Sequence, residues 1–160
     1  MTASSCQIFS IYHMKINLIV VGKLKEKFLV DGVAEYLKRL KKFATVEVRE
    51  VPECRTVDDE GRKILSLVQK DSWLCVLDVA GEALTSEDFA KKIAALNLSG
   101  VSNLTFVIGG TFGLSDELRQ AASYRLSLSE MTFTHQMARL ILVEQIYRAF
   151  KINRHEPYHW

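Results

Sequence analysis

The chain has 160 residues and a mass of 18.2 kDa, which suits one domain and is too short for two ordinary ones. Hydrophobic residues make up 48% and charged residues 25%, a balance that excludes a disordered or fibrous protein. Net charge is only +2, but residues 15–42 are basic and residues 43–133 are acidic. The basic ends would suit a phosphate backbone if the fold brings them together, although solvated helix faces explain most such runs.

The cysteine spacing and the lengths of the apolar runs exclude several other classes. Cys6, Cys54 and Cys75 are odd in number and lack the Cys-x-x-Cys or Cys/His pairing of zinc sites, so we expect reduced thiols and no metal. No apolar run approaches the roughly 20 residues that cross a bilayer. The first residues lack the basic start and long apolar stretch of a signal peptide. The expected location is the cytoplasm, with no membrane contact.

The regular pattern begins at Met14. Residues 1–13 show little periodicity and are expected to form a disordered or peripheral extension, so residues 14–160 are interpreted as one domain. Ile16 to Val21 is almost wholly apolar, as in a strand that is covered on both faces. Apolar residues then recur at the spacing of an amphipathic helix, namely Leu29, Val33, Tyr36, Leu37 and Leu40.

Strands and helices alternate through the rest of the chain. Thr56 with Asp59, and Thr85 with Asp88, resemble helix N-caps, and Ser115 begins a third helix. This alternation is typical of a three-layer α/β domain with a mostly parallel sheet, in which ligands bind beyond the carboxyl ends of the strands. The other strands are expected near Val46 and Val48, at Trp73–Val79 before a turn at Gly81, at Leu104–Ile108 and at Leu126–Leu128. Three loops compete for the site, namely those after Leu77, Ile108 and Leu128.

The connection from Leu128 to the last helix is longer than a turn requires. It is a polar run that is interrupted by two large apolar side chains, Met131 and Phe133. One interpretation is a plain helix N-terminus with Thr132 or Thr134 as the N-cap. The other is a ligand-binding loop, and the spacing alone leaves both open.

The glycine-rich segment 109–113 matches neither the dinucleotide-binding nor the P-loop fingerprint. Its glycines would let the backbone approach a flat, uncharged ligand such as an adenosyl group, although glycines in turns are also common for steric reasons. Ser129, His135 and Asp78 supply the residue types of a serine hydrolase, but no Gly-x-Ser-x-Gly elbow is present. That class is therefore disfavoured.

The last helix carries too many apolar residues for one narrow stripe, so it needs burial on two sides. One side can be its own sheet. The other is either the same helix of a second copy, in a twofold dimer, or the interior of this chain. The apolar residues are Met137, Leu140, Ile141, Leu142, Val143, Ile146, Tyr147, Ala149 and Phe150.

Six segments are informative when they are taken together. They are V-G-K-L-K-E-K-F at 21–28, E-Y-L-K-R-L at 35–40, V-I-G-G-T-F-G-L at 107–114, S-L-S-E-M-T-F-T-H-Q-M-A-R at 127–139, V-E-Q-I-Y-R-A-F-K-I at 143–152 and P-Y-H at 157–159. In combination they resemble the RlmH family of bacterial SPOUT-class methyltransferases, which act on large-subunit ribosomal RNA. The similarity runs from Met14 nearly to the last residue.

This resemblance implies an α/β fold with a C-terminal trefoil knot, a homodimer, and S-adenosylmethionine as the methyl donor. Sequence patterns could not have predicted the knot, because chains as a rule avoid threading themselves. The implied reaction is methylation at N3 of a pseudouridine in 23S ribosomal RNA, in the stem-loop at the subunit interface, with the RNA within the ribosome.

The resemblance also implies the positions that bind the cofactor. They are Leu77, Gly109 and the loop Leu128, Ser129, Glu130, Met131, Thr132 and Phe133. In a site of this kind the adenine is held by backbone groups and apolar side chains.

Four further positions are expected around the target base, namely His135, Arg139, Tyr158 and His159. A histidine or a water would take the N3 proton, and Arg139 would stabilise the developing anion. The alternative is that His135 merely caps the last helix and Arg139 pairs with an acid.

Three departures from the family pattern bear on substrate binding. Thr134 stands where proline is usual, Trp160 where a basic residue is usual, and the segment 52–61 is shorter. Two alternatives to the implied reaction follow. One is a ribosome-binding protein with impaired catalysis, and the other is a SPOUT methyltransferase that acts on another RNA.

Overall fold

The computed structural model describes residues 13–158, so the predicted N-terminal extension lies, apart from His13, outside the described residues. Strands and helices alternate strictly along the chain. The strands are β1 (Met14–Val21), β2 (Ala44–Val51), β3 (Trp73–Ala83), β4 (Asn103–Ile108) and β5 (Tyr124–Ser127). The helices are α1 (Lys27–Leu40), α2 (Val57–Leu67), α3 (Ser86–Leu98), α4 (Asp116–Ala121) and α5 (His135–Asn153).

The five strands form one sheet in the order β2-β1-β4-β3-β5, and every described pairing is parallel. Alternate residues of β1 enter two separate cores, with Leu18 and Val20 in one and Ile19 and Val21 in the other. The first core is closed by α1, α3 and α5, and the second by α2 and α4. The predicted three-layer α/β architecture is confirmed.

The predicted N-caps are confirmed, and each hydroxyl pairs one of the N–H groups that a helix start leaves free. The helix that follows the long connection is capped by Thr134 and not by Thr132, so α5 begins at His135. The side chains of Thr56 and Thr85 accept from Asp59 and Asp88 at 3.1 Å, and those of Ser115 and Thr134 accept from Leu118 and Met137 at 3.2 Å.

The strand that was predicted to end at Val79 is longer. β3 continues to Ala83, and its pairing with β5 shifts register once along its length. Gly81 therefore lies inside the strand, and the predicted turn at this residue is wrong. A Cβ on Gly81 would lie 2.7 Å from the backbone of Arg125, so glycine is required where the two strands approach closely.

Helix α5 lies against α1 and α3 on one face of the sheet. Leu142, Val143 and Ile146 are fully buried in the larger core, whereas Ile141 is only partly buried and belongs to neither core. The chain's own helices thus cover much of α5, as in the interior alternative. The face of α5 that carries Ile141 is only partly buried, so a dimer contact there stays a prediction.

The carboxyl ends of β4, β3 and β5 lie side by side at one edge of the sheet, which brings their loops together. The C-terminal trefoil knot stays a prediction, because strand order and register do not define how the chain threads. No helix within residues 13–158 is long and apolar enough to span a membrane.

Candidate functional site

A cavity of about 670 Å³ opens at the carboxyl ends of the parallel strands. Its walls come from residues 77–79 within β3, from the loops after β4 and β5, from α4, from the first turn of α5, and from Glu26 before α1. Cavities that bury small ligands have volumes of roughly 300–1,000 Å³. The loops predicted after Ile108 and Leu128 therefore form one site of suitable size, whereas the predicted loop after Leu77 is wrong, because this segment continues as β3.

Most of the residues expected to bind the cofactor line this cavity. Leu77 comes from β3, just before the register shift with β5, and Gly109 comes from the glycine loop. Glu130 is not among the lining residues. The third loop contributes Leu128, Ser129, Met131, Thr132 and Phe133. The structure thus brings together seven of the eight positions, and their role in binding stays a prediction.

The glycine loop between β4 and α4 is tightly constrained. Gly113 has a φ of 82°, and a Cβ on Gly109 would lie 2.7 Å from the carbonyl oxygen of Gly113. Gly110 donates its N–H to Oε1 of Glu60 at 3.2 Å, and a Cβ on Gly110 would lie 2.9 Å from a methyl group of Val21. Close packing therefore requires glycine here. Glu60, which is buried in α2, supports the loop, and no sequence motif marked it.

The loop after β5 is shaped by its own serines. The hydroxyl of Ser127 donates to the carbonyl oxygen of Ser129 at 3.0 Å, and the hydroxyl of Ser129 accepts from the N–H of Met131 at 3.0 Å. Such local bonds offer the backbone an alternative to strand pairing. Ser127 and Ser129 themselves line the cavity, so these bonds shape its wall.

Exposed large apolar side chains occur along the cavity: Val79 of β3 and Met131 and Phe133 of the loop after β5 line it, and Phe112 lies between the lining residues Thr111 and Gly113. Val79 is 73% exposed, Phe112 is 78% exposed, Met131 is 75% exposed and Phe133 is 38% exposed. Exposed apolar groups gathered at one opening are typical of a surface that a ligand or partner covers.

His135 and Arg139 both lie in the first turns of α5, but their surroundings differ. His135 lines the cavity, and its Nε2 lies beside Gly22. Arg139 is 2% exposed and lies behind the cavity wall. Its Nη1 donates to Oε1 of Glu50 at 3.0 Å, and its Nη2 donates to the carbonyl oxygen of Gly22 at 2.8 Å. Arg139 thus does pair with an acid, whereas the cap of α5 is Thr134 and not His135.

Tyr158 lies away from the cavity of its own chain. Its hydroxyl donates to Oε1 of Glu144 at 2.9 Å and lies 3.1 Å from the hydroxyl of Tyr36. Burial and the hydrogen bonds with Tyr36 and Glu144 raise the pKa of Tyr158. Glu144 lies nine residues beyond His135 on α5, which is about 14 Å along a helix axis. His159 lies outside the described residues.

A buried carboxylate at the carboxyl end of the sheet binds two arginines. The side chain of Asp78 is 2% exposed, and its Oδ2 accepts from the Nε of Arg119 and the Nε of Arg125, both at 3.0 Å. Burial raises the pKa of Asp78. The N–H of Ala80 and the two guanidinium groups lower it by more, so the net shift of the pKa is downward. Asp78 therefore belongs to an ionic cluster and not to a hydrolase triad.

The residues of the cavity fit S-adenosylmethionine, the cofactor that the resemblance implies. Apolar side chains and closely packed glycine backbone suit an adenosyl group, and the pocket has polar backbone groups from three loops. No group of three His, Cys, Asp or Glu side chains that could hold a metal ion is present in the part of the chain that the structure describes.

Known proteins similar to this chain identify its family. The sequence model of the family described as "Predicted SPOUT methyltransferase" matches residues 14–159. Relatives from Enterococcus faecalis, Halothermothrix orenii and Clostridioides difficile are each named "Ribosomal RNA large subunit methyltransferase H". They are 46%, 49% and 48% identical to this chain, and each match covers 91% of the chain and 99% of the relative.

A solved structure of much lower sequence identity supports the fold. It is described as "The structure of a probable methylase family protein from Haemophilus influenzae Rd KW20", and it matches with a TM-score of 0.53 at 13% identity. The match covers 92% of this chain and 70% of that one. With the parallel sheet and the near-complete sequence matches, the chain belongs to the SPOUT methyltransferases and, within them, to the RlmH family.

Proposed function

We propose that this protein methylates large-subunit ribosomal RNA with S-adenosylmethionine as the methyl donor. The observation that carries the proposal is the single cavity that β3 and the loops after β4 and β5 form, in a chain of this family. The finer target is N3 of a pseudouridine in the intersubunit stem-loop of 23S ribosomal RNA. That target rests on the family resemblance. The relatives' names support large-subunit ribosomal RNA as the substrate and do not name the base.

The chain contributes mainly positioning and exclusion of water. Leu77, Gly109 and the loop from Leu128 to Phe133 would hold the adenosyl part of the cofactor. Once bound, S-adenosylmethionine supplies a sulfonium methyl group for in-line displacement by a nitrogen. Alignment of two reactants can lower a barrier by roughly 7–11 kcal/mol.

The N3 position has to lose a proton before or during the transfer. His135 is the histidine that lines the cavity, so it is assigned to accept this proton or to orient a water that does so. Arg139 stabilises the developing anion through its charge and not by direct contact, because both of its terminal nitrogens already donate to Glu50 and Gly22. The bond to Gly22 also holds the backbone beside His135 in place.

The apolar rim of the cavity supports RNA as the substrate. Phe112, Met131 and Phe133 would contact a base that has left its stack, since RNA recognition commonly stacks unpaired bases on aromatic side chains. A substrate of this kind would place the protein in the cytoplasm, with the ribosome.

A homodimer is part of the proposal. Tyr158 is bonded to Glu144, which lies about 14 Å from His135 along α5, so its place beside the target base requires the tail of a second copy. His159, the next residue, would follow the same route. Apolar surface is available for such a contact, because Phe28 and Val30 of α1 are 63% and 43% exposed and Ile141 of α5 is partly exposed.

The test is the transfer of labelled methyl groups to four acceptors that lack the modification: whole ribosomes, large subunits, protein-free 23S RNA and tRNA. We expect label at the pseudouridine of 23S RNA in ribosomes or subunits. His135→Ala should abolish transfer while cofactor binding in calorimetry persists. His155→Ala, an exposed histidine beyond the end of α5, is the matched control and should retain activity.

Other outcomes separate the alternatives. Label in tRNA alone would favour a methyltransferase of another RNA. Binding of cofactor and ribosomes without transfer to any acceptor would favour a ribosome-binding protein that has lost catalysis. Absence of cofactor binding would contradict the proposal that S-adenosylmethionine is the methyl donor.

A further inference from the structure

Arg119 is the one lysine or arginine among the described residues that lines the cavity. It lies on α4, which follows the glycine loop, and its side chain is 35% exposed. Its Nε donates to Asp78 at 3.0 Å, and its Nη1 lies 3.4 Å from Oδ1 of Asp116. Its Nη2 donates to no described residue, so two N–H groups remain free for a ligand.

In the buried part of the cluster around Arg119, positive charge exceeds negative charge. One buried carboxylate, Asp78, faces the guanidinium groups of both Arg119 and Arg125. Asp116 is 91% exposed, and an ion pair at 3.4 Å with such an exposed partner is weak because water screens it. The excess charge therefore suits an anionic group at the cavity wall.

Asp78 also fixes where this charge points. It follows Leu77 directly within β3 and lines the same cavity, so the carboxylate holds Arg119 beside β3 at the cavity wall. Arg125 binds the same oxygen of Asp78 but is not among the lining residues. Of the two arginines, only Arg119 can meet a molecule bound in the cavity.

We propose that Arg119, oriented by Asp78, binds the carboxylate of the methionine part of the methyl donor. The inference rests on the proposed function. The carboxylate is the one negatively charged group of S-adenosylmethionine, and a guanidinium is suited to bind a carboxylate through paired N–H groups. Arg119 is then a cofactor-binding residue, and Asp78 is a positioning residue.

The assignment explains how the site distinguishes the donor from other adenosyl compounds. The glycine loop and the apolar wall recognise features that all adenosyl compounds share. Arg119 adds recognition of the amino-acid end, on the opposite side of the sulfonium from the adenosyl group.

The test compares two ligands that differ by one group, S-adenosylmethionine and decarboxylated S-adenosylmethionine, by calorimetry on the full chain. The wild-type protein should bind the carboxylate-containing ligand more tightly. Arg119→Ala should weaken that ligand about 10- to 100-fold and change the decarboxylated ligand by no more than about twofold. Asp78→Asn should reduce the same preference several-fold, and Arg119→Lys should restore part of it.

Arg125→Ala is the matched control, because it removes an arginine from the same carboxylate and the side chain of Arg125 does not line the cavity. It should keep the preference between the two ligands. Equal weakening of both ligands by Arg119→Ala, or of neither, would overturn the assignment. So would an Arg119→Ala effect confined to RNA binding, which would place a phosphate at this guanidinium. If the wild-type protein binds neither ligand, the proposed function itself fails.

Discussion

Two residues at the start of α5, Thr134 and Arg139, fix this helix in different ways. Thr134 caps it with a hydroxyl that accepts from the N–H of Met137 at 3.2 Å. Arg139 joins it to the ends of β1 and β2 through Gly22 and Glu50. His135 lies between these two anchors, so its position at the cavity depends on both.

Thr134 takes the place that proline has in the family pattern without loosening the helix start. Its φ is −61°, close to the value that proline fixes, and its side chain adds a cap that proline lacks. Thr134→Pro should therefore change the free energy of unfolding by less than about 0.5 kcal/mol, because a stiffer unfolded chain offsets the lost cap. Thr134→Ala should cost about 1 kcal/mol. Urea denaturation measures both, and equal losses would contradict this account.

Removing the guanidinium of Arg139 should destabilise the fold. Arg139→Met keeps most of the length of the side chain, but it leaves the Gly22 carbonyl and Glu50 without their partner. We expect the free energy of unfolding to fall by about 2–4 kcal/mol. Glu50→Gln is the milder control, at about 1 kcal/mol or less, because Glu50 is 38% exposed. A stable but inactive Arg139→Met would instead indicate direct contact with the target base.

Three elements meet at the Asp78 cluster, since Asp78 lies in β3, Arg119 in α4 and Arg125 in β5. β5 has only 4 residues and lies at the edge of the sheet. A strand of this length has few ladder hydrogen bonds, so the ionic contact fixes it to β3 where the register shifts. The cluster thus stabilises the wall that the cavity needs.

The contribution of Asp78 to stability should depend on pH in one direction. Its pKa is lowered in the folded state, so its stabilising effect is full above the unfolded value of about 3.9 and is lost as pH falls through the folded value. Asp78→Asn should cost about 2–3 kcal/mol near neutral pH. Urea denaturation over a pH series should show that this difference shrinks only below about pH 4. A difference that stays constant to the acid limit of the fold would contradict the ionic explanation.

For the molecule as a whole, the proposed site is incomplete within one chain. The cavity and His135 lie at the carboxyl edge of the sheet, while Tyr158, which follows α5, packs beside Glu144 in the middle of that helix and Tyr36 of α1. A dimer that brings the two regions together would make activity depend on assembly.

Mixed dimers provide a direct test of this dependence. His135→Ala and Tyr158→Ala should each be inactive alone, because every site then lacks one of the two side chains. A mixed dimer has one site with His135 and the partner's Tyr158 both intact, so random exchange should restore about one quarter of wild-type activity. Methyl transfer after subunit exchange, with sedimentation to verify the dimers, gives the measurement. No recovery after complete exchange would contradict a shared site.

Features governed by local interactions were predicted from the sequence. Thr56, Thr85 and Ser115 were identifiable as caps because each bonds an N–H three residues later. The strands were identifiable because both faces of the sheet are covered. The turn at Gly81 was wrong because the approach of β5 to this residue depends on a contact between distant segments.

The candidate site, too, was predictable only where local sequence patterns or the family resemblance identified its residues. Strand ends identified the loops after β4 and β5, whereas the predicted loop after Leu77 is part of β3, and the family resemblance supplied the residues. Glu60 and Arg119 could not be identified, since both lie on helices of the opposite face and reach the site only through the packing of α2 and α4. The spacing of apolar residues along the sequence does not predict such a contact.

The pairing of β1 with β4 also constrains how the protein is made. Lys15 pairs with Asn103, so the central strands of the sheet can join only after most of the chain exists. The larger core closes later still, because α5 supplies Leu142, Val143 and Ile146 to it. Pairing between distant segments slows folding and leaves apolar strands exposed meanwhile. Formation of the sheet and of the larger core is thereby tied to nearly complete synthesis of the chain.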